Sequence, residues 1–342
     1  MSIVDVAKRA HVSPATVSLV INGRPHVAPQ TVLAVKNAMR ALGYTPPPLA
    51  NRPGPRPSAR SHTLKRVALI VWDMPEMWLR LPVYVDVLHG IQSALRQRGL
   101  GLVLRQASRG DHLEAAALRD SADGLLLLSR TPEDLPPMTR GFPCVRVMGA
   151  LAEEGWCDHV TYRNERIGRL AARHLLQRGH RHCAYIGPAA PGIWEERASS
   201  FRSGLESGGA RAMLNCDNAA LDAGGDGGRT CLAALLDKAL AARPRVTGLF
   251  FPADSITATA YFLLVERGVV PGRDVDVVSC NNERSLLAPL NPPPAIIDIH
   301  ADQVGRRAIE QLLWRLDNPR APKVSIQLDP EVLVEIGTPA KD

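Results

Sequence analysis

Residues 1–66 carry ten basic side chains, Lys8, Arg9, Arg24, Lys36, Arg40, Arg52, Arg56, Arg60, Lys65 and Arg66, against the single acid Asp5, a net charge of +9. The chemistry open to such a cluster is ionic. It neutralises phosphates and releases their counterions, which supplies most of non-specific nucleic-acid affinity. The other 276 residues hold 31 bases and 33 acids, so the +7 of the 342-residue chain averages a basic head and a nearly neutral body. An anionic membrane surface could use the same charge. It would call for an amphipathic helix with an aromatic or Leu-rich face, and Tyr44 is the only aromatic residue in the segment.

Covalent and metal chemistry find no comparable constellation. His180-Arg181-His182-Cys183 has no standard metal-ligand spacing, and its last two residues enter a strand with alternating faces. Gly224-Gly225-Asp226-Gly227-Gly228 lacks the Lys-Ser/Thr of a phosphate cradle, and neither G-x-G-x-x-G after a strand nor G-x-S-x-G occurs. Six cysteines are scattered without a C-x-x-C pair, which suits buried thiols rather than zinc or a disulfide framework. The expectation is a protein that is not an enzyme and takes no metal or cofactor. No stretch approaches the roughly 18 apolar residues of a membrane span, and Met1-Ser2-Ile3-Val4-Asp5 is not laid out as a secretory signal, so no membrane partner and a cytoplasmic location are expected.

The charged head must be carried by short helices. Ile3, Val6, Ala7 and Ala10 recur at helical spacing; Ser13 is a good N-cap and Pro14 a good first residue for a second helix that Gly23 ends. A third helix is predicted from about Pro29 to Leu42, with Gly43 as its stop. The first two have helix-turn-helix proportions, which place a second helix in the major groove; the alternative is a three-helix bundle that binds protein alone. Six prolines between residues 46 and 57 exclude a helix interior there and predict a semi-rigid, polyproline-like basic tether. It is either laid along a minor groove through arginines such as Arg52 or simply solvated.

In the body, apolar runs at 67–72, 100–104, 124–128, 144–147, 183–186, 248–251 and 275–280 read as strands. Amphipathic segments at 85–98, 167–178, 197–205, 232–240, 255–267 and 303–316 separate most of them. Alternation of this kind predicts an α/β architecture of doubly wound parallel sheets covered by helices on both faces. With some 275 residues available, two lobes and a ligand cleft beyond the strands' carboxyl ends are expected. The predicted domains are a helix-turn-helix head at 1–45, a linker at 46–66 and a two-lobed effector-binding and dimerisation domain at 67–342.

The run Asp5-Val6-Ala7-Lys8-Arg9-Ala10, Val12-Ser13, Ala15-Thr16-Val17-Ser18, Asn22-Gly23, His26-Val27 and Leu42-Gly43-Tyr44 resembles the headpiece of LacI/GalR-family transcriptional regulators. By that resemblance, Ser13, Thr16, Ser18, Asn22, His26 and Thr31 contact phosphates or position the helix, while Pro14, Ala15 and Leu19 face base edges. Leu19 departs from the arginine common at its position and offers apolar contact, for instance to a thymine methyl. The leucine of the family's hinge helix falls on Pro53, a second departure.

The body resembles, more weakly, the periplasmic-binding-protein-like effector domain of the same family through Pro82-Val83-Tyr84, Gly90-Ile91, Asp123-Gly124-Leu125, Gly179-His180, Arg197 with Phe201, Asp254, and Asp274-Val275 before Val277-Val278. The resemblance implies that Val83, Tyr84 and Arg197 line an effector cleft. Asp254 is expected to cap a helix. Ser279-Cys280-Asn281-Asn282 stands where the family has Gly-aromatic-Asp, so Asn281 brings hydrogen-bonding capacity without charge and makes a neutral or anionic ligand easier to accept; alternatively it ties loop backbone. Trp72, Trp156 and Trp194 are candidates for stacking on a sugar face or for core packing. The implied protein is a homodimeric repressor of a double-stranded DNA operator, modulated by a sugar-like effector. Its rivals are a small-molecule carrier, an enzyme with an appended DNA-binding module, and a regulator that has lost its effector response.

Overall fold

The computed structural model describes residues 3–21, 27–44, 66–74, 79–108, 111, 120–129, 139, 141–151, 155–217 and 225–333. They fall in two compact units, Met1–Thr63 and Leu64–Asp342. Asn22, His26, Arg52 and Pro53, with nearly all of the expected linker, lie outside the described residues.

In the first unit, α1 (Ile3–Ala10), α2 (Pro14–Ile21) and α3 (Pro29–Ala41) meet over Val6, Ala7, Val17, Val35 and Ala38, with Tyr44 packed at the edge of that core. The Ser13 hydroxyl accepts the Thr16 N–H at 3.1 Å, satisfying one of the donors that open α2. At the end of α3, Gly43 has φ +59°, Gly43 N–H bonds the Arg40 carbonyl and Tyr44 N–H bonds the Met39 carbonyl. This paired closure needs a left-handed residue, which glycine adopts without a Cβ clash.

The second unit holds two six-stranded sheets. The first lobe contains β1 (Arg66–Trp72), α4 (Pro82–Arg96), β2 (Gly101–Ala107), β3 (Gly124–Ser129), β4 (Cys144–Val147) and β5 (Asp158–Tyr162). The second contains α5 (Asn164–Gln177), β6 (His182–Gly187), α6 (Ile193–Ser207), β7 (Arg211–Cys216), α7 (Asp226–Leu240), β8 (Gly248–Phe250), α8 (Asp254–Glu266), β9 (Asp276–Asn281), α9 (Arg284–Leu287) and β10 (Ala295–Asp298). The chain then returns to the first lobe with α10 (Ala301–Asp317) and β11 (Ser325–Leu328), and ends its described course in the second with β12 (Glu331–Leu333).

Strand orders are β11-β5-β4-β3-β1-β2 and β12-β10-β9-β8-β6-β7. All pairings are parallel except the edge pair β10–β12. That antiparallel edge departs from the all-parallel expectation, because β12 enters the second sheet directly from β11 of the first across two residues, with no crossover helix to bring it in parallel. No helix among the described residues is long and apolar enough to cross a membrane.

Strand β5 carries polar side chains, yet every residue in it is buried. Asp158 is held by Arg315 from α10, Nη2 to Oδ1 at 2.6 Å and Nε to Oδ2 at 2.9 Å, and by Gln311 at 2.7 Å. His159 is paired with the Met148 carbonyl at 2.7 Å; burial, aided by Arg146, brings its pKa down to about 4. Across the lobe, α4 and α10 approach so closely that a Cβ on Gly90 would lie 1.9 Å from the Asp302 carbonyl oxygen, and one on Gly305 would lie 2.2 Å from that of Val87. The paired glycines let the two backbones touch, which fixes where the first turn of α4 stands.

Candidate functional site

In the head, Val17 anchors α2 in the core at 0% exposure, while Leu19 stands 44% exposed and Pro14 is also exposed. Thr16 is half-buried, its hydroxyl 2.9 Å from that of Ser13. Ser13 therefore spends its hydroxyl on shaping the start of α2. Thr31 is half-buried near the start of α3. Ala15 and Ser18 lie on α2.

In the second unit, a cavity of about 400 Å³ opens at the carboxyl ends of both sheets. Val83 and Tyr84 reach it from the first turn of α4, Arg197 from α6 and Asn281 from the end of β9, so the four residues expected to share a ligand lie along one wall system. Ser129 ends β3, Tyr162 ends β5, and the 148–151 loop follows β4, completing the first lobe's side. Trp194 lines the opposite side, whereas Trp72 is buried in a separate core cluster with Trp156 packed against it, away from the cavity. Core packing is therefore what the structure assigns to those two rings.

Arg197 is 1% exposed. Its Nε donates to Asn164 Oδ1 at 3.0 Å, its Nη1 donates to the Pro252 carbonyl, and its guanidinium carbon lies 5.4 Å from the Tyr162 ring centre and 5.3 Å from that of Trp194. Neutral acceptors and aromatic faces thus hold the guanidinium in place while leaving its charge available to the cavity.

Sequence reasoning missed Glu283. It lies in the loop after β9, 2% exposed, and contributes a carboxylate to the cavity two residues beyond the neutral Asn281. Its Oε1 accepts the Val83 N–H from the other lobe at 3.0 Å, and its Oε2 accepts Asn281 Nδ2 at 3.2 Å. Burial pushes its carboxyl up, against the two donors. Asn281 is uncharged as read from the sequence, but Glu283 two residues on places a carboxyl group in the same cavity, which the sequence reading did not include. A signal was present, since the turn places an acid directly after two asparagines; Asn281 and Asn282 have φ of 121° and 70°, a reversal that aims the following side chain back at the cleft.

Asp254 is also corrected. It makes no cap to its own helix; Oδ2 accepts the Glu283 N–H at 2.6 Å and Oδ1 takes the Ser279 hydroxyl. Burial, then the nearby Glu283, raises its pKa to about 8. Its role is to hold the loop that presents Glu283. His180 likewise serves the framework, bonding Thr247 at 2.9 Å and Asp276 at 2.6 Å. Where the chain crosses between lobes, Asp298, His300 and Glu331 lie together, with each ring nitrogen 3.6 Å from a carboxylate oxygen.

Residues 2–47 match the model for bacterial regulatory proteins of the lacI family, and residues 172–335 match a periplasmic binding protein-like domain. The chain is 30% identical over 321 residues to the HTH-type transcriptional regulator GntR of Pseudomonas aeruginosa, covering 90% of this chain and 87% of that one. It is 30% identical over 345 residues to the HTH-type transcriptional regulator CelR of Thermobifida fusca, covering 96% of each. Among solved structures, the transcriptional regulator CelR in complex with cellobiose is similar at a TM-score of 0.64 and 27% identity, over 98% of both chains.

Proposed function

The chain belongs to the lacI family of bacterial regulatory proteins, and from that premise we propose that it is a homodimeric repressor acting in the cytoplasm, released from or locked onto its operator by a sugar-like effector. Transcriptional regulation through a DNA-binding helix-turn-helix head is the family's work. The finer reading assigns base-edge contacts to Pro14, Ala15 and Leu19, and phosphate or positioning contacts to Ser13, Thr16, Ser18, Asn22, His26 and Thr31, with Arg52 reaching a minor groove. Leu19 supports it as an exposed apolar side chain on a helix whose opposite face is buried. The domains are read as 1–45, 46–66 and 67–342.

One observation carries the effector assignment: Val83, Tyr84, Arg197 and Asn281 converge on a single cavity of about 400 Å³ between two lobes, with Trp194 and Glu283 completing it. A ring face on Trp194 and hydrogen-bonding groups at Asn281 and Glu283 suit a polyhydroxylated ligand. Closing both lobes on such a ligand changes their relative setting and thereby the spacing of two heads on half-sites, a coupling of about 1–3 kcal/mol.

The test is selection of an operator by the full-length dimer, followed by affinity measurements across salt concentrations and a panel of mono- and disaccharides. The expected result is sequence-specific binding that weakens with salt and shifts with one class of sugar. Binding without sequence preference would defeat the repressor reading. Specific binding that no sugar shifts would defeat the effector assignment.

A further inference from the structure

The β4–β5 register begins with Val145 opposite Asp158, so Cys144, the first residue of β4, and Cys157, the bend residue just before β5, stand beside each other where that parallel pairing starts. Strands in a sheet run about 4.8 Å apart, and disulfides span Cα separations of about 4.4–6.8 Å, so the backbone spacing is already suitable. Cys144 is part of the core cluster that contains Trp72, and Cys157 packs against it. Among the described residues, no other two cysteines face each other across a strand pair.

We propose that Cys144 and Cys157 form a peroxide-reactive dithiol whose oxidation to a disulfide is transmitted to the effector-cavity wall through Arg146. The two thiols differ in ways that assign their roles. Cys157 sits in the bend before β5, half-buried, where an oxidant can reach it; Cys144 is buried within β4. The Cys144 thiol donates to Cys157, and the Arg146 backbone N–H and guanidinium charge act on the same sulfur, so its pKa is lowered against the effect of burial. Burial instead raises that of Cys144.

In the first step the Cys157 thiolate attacks the O–O bond of a hydroperoxide, giving a sulfenic acid and an alcohol, or water from hydrogen peroxide, once the leaving oxygen takes a proton. In the second the Cys144 sulfur displaces the hydroxyl, which leaves as water with the Cys144 proton. Two thiols lose two electrons in all and the peroxide gains them; a dithiol reductant reverses the change.

Arg146 links the pair to the cavity. Its Nη1 donates to the Ala150 carbonyl at 2.7 Å, and a Cβ on Gly149 would lie 2.6 Å from its Nη2. Gly149 and Ala150 belong to the cavity wall. Drawing Cys157 onto Cys144 shifts the sulfur that Arg146 faces and resets the wall it supports.

The experiment treats full-length protein with hydrogen peroxide and reads intact mass, non-reducing peptide maps and amide exchange. The expected product has lost two hydrogens, links the peptides containing Cys144 and Cys157, reverts with dithiothreitol, and shows altered exchange in the 148–151 segment. Cys157→Ser should abolish the mass change, while Cys144→Ala should leave a sulfenic acid on Cys157 that dimedone captures. No mass loss, or a bond involving a different cysteine, overturns the site. A Cys144–Cys157 bond with unchanged exchange at 148–151 overturns the transmission through Arg146.

Discussion

The Glu283 carboxylate, carried by the second lobe, accepts the backbone N–H of Val83 at the start of α4 in the first lobe at 3.0 Å. A negative charge at that position also meets the positive end of the helix dipole. The two residues are 200 positions apart in sequence, and their bond closes the floor of the ligand cavity. Glu283→Ala strands the Val83 N–H and the Asn281 amide group. The unfolding free energy from urea titration should fall by about 1–3 kcal/mol, with faster amide exchange at Val83. An unchanged exchange rate at that amide would argue against the bridge.

Asp254 gives the stability of the second unit a defined pH dependence. Its pKa is raised from 3.8 to about 8, burial being the larger cause and Glu283 the next. A carboxyl whose folded pKa lies above its unfolded value binds its proton more tightly in the folded state. Its contribution is complete below the unfolded value and is lost as pH rises through about 8. Asp254→Asn, which cannot ionise, should flatten the thermal-stability profile across that window. A mutant profile parallel to the wild type would contradict this assignment.

The Asp158–Arg315 pair ties β5 to α10 in the first lobe. Arg315→Leu leaves a fully buried carboxylate with Gln311 and the Val324 N–H as its remaining partners. A loss of about 3–5 kcal/mol is expected by calorimetry or denaturant titration. Replacing Asp158 with asparagine in the same chain should recover part of it, since the charge left without a counterion is what costs most.

Ser13→Ala removes the acceptor that closes the first turn of α2. The expected cost is about 0.5–2 kcal/mol, confined to the head. It should appear as faster exchange at the Thr16 amide and weaker operator binding, with the melting of the second unit unaltered. Ser13→Asp, which can cap in the same way, should restore the exchange rate.

Much of the head was legible because its determinants are local. Ser13 and Pro14 start a helix, Gly43 ends one, and Val6, Val17 and Val35 mark the faces that meet. The apolar strands β1, β3 and β4 were legible for the same reason, as continuous runs bounded by turn residues. Strand β5 was not, because Asp158, His159 and Thr161 are tolerated in the interior only through partners distant in sequence, such as Arg315 and the Met148 carbonyl.

The candidate site divides along the same line. Residue types and order determined the basic head, the helix-turn-helix proportions and the parallel α/β plan, while the resemblance to the LacI/GalR family implied four side chains that would line a cleft. Tertiary structure decided that Trp72 and Trp156 pack in a core, that Asp254 holds a loop and caps no helix, and that Glu283 supplies the cavity's carboxylate. The physical reason is that local propensities act over a few residues. Whether a buried charge is stabilised, and which way it points, depends on donors brought to it by the fold, here the Val83 N–H from 200 residues away.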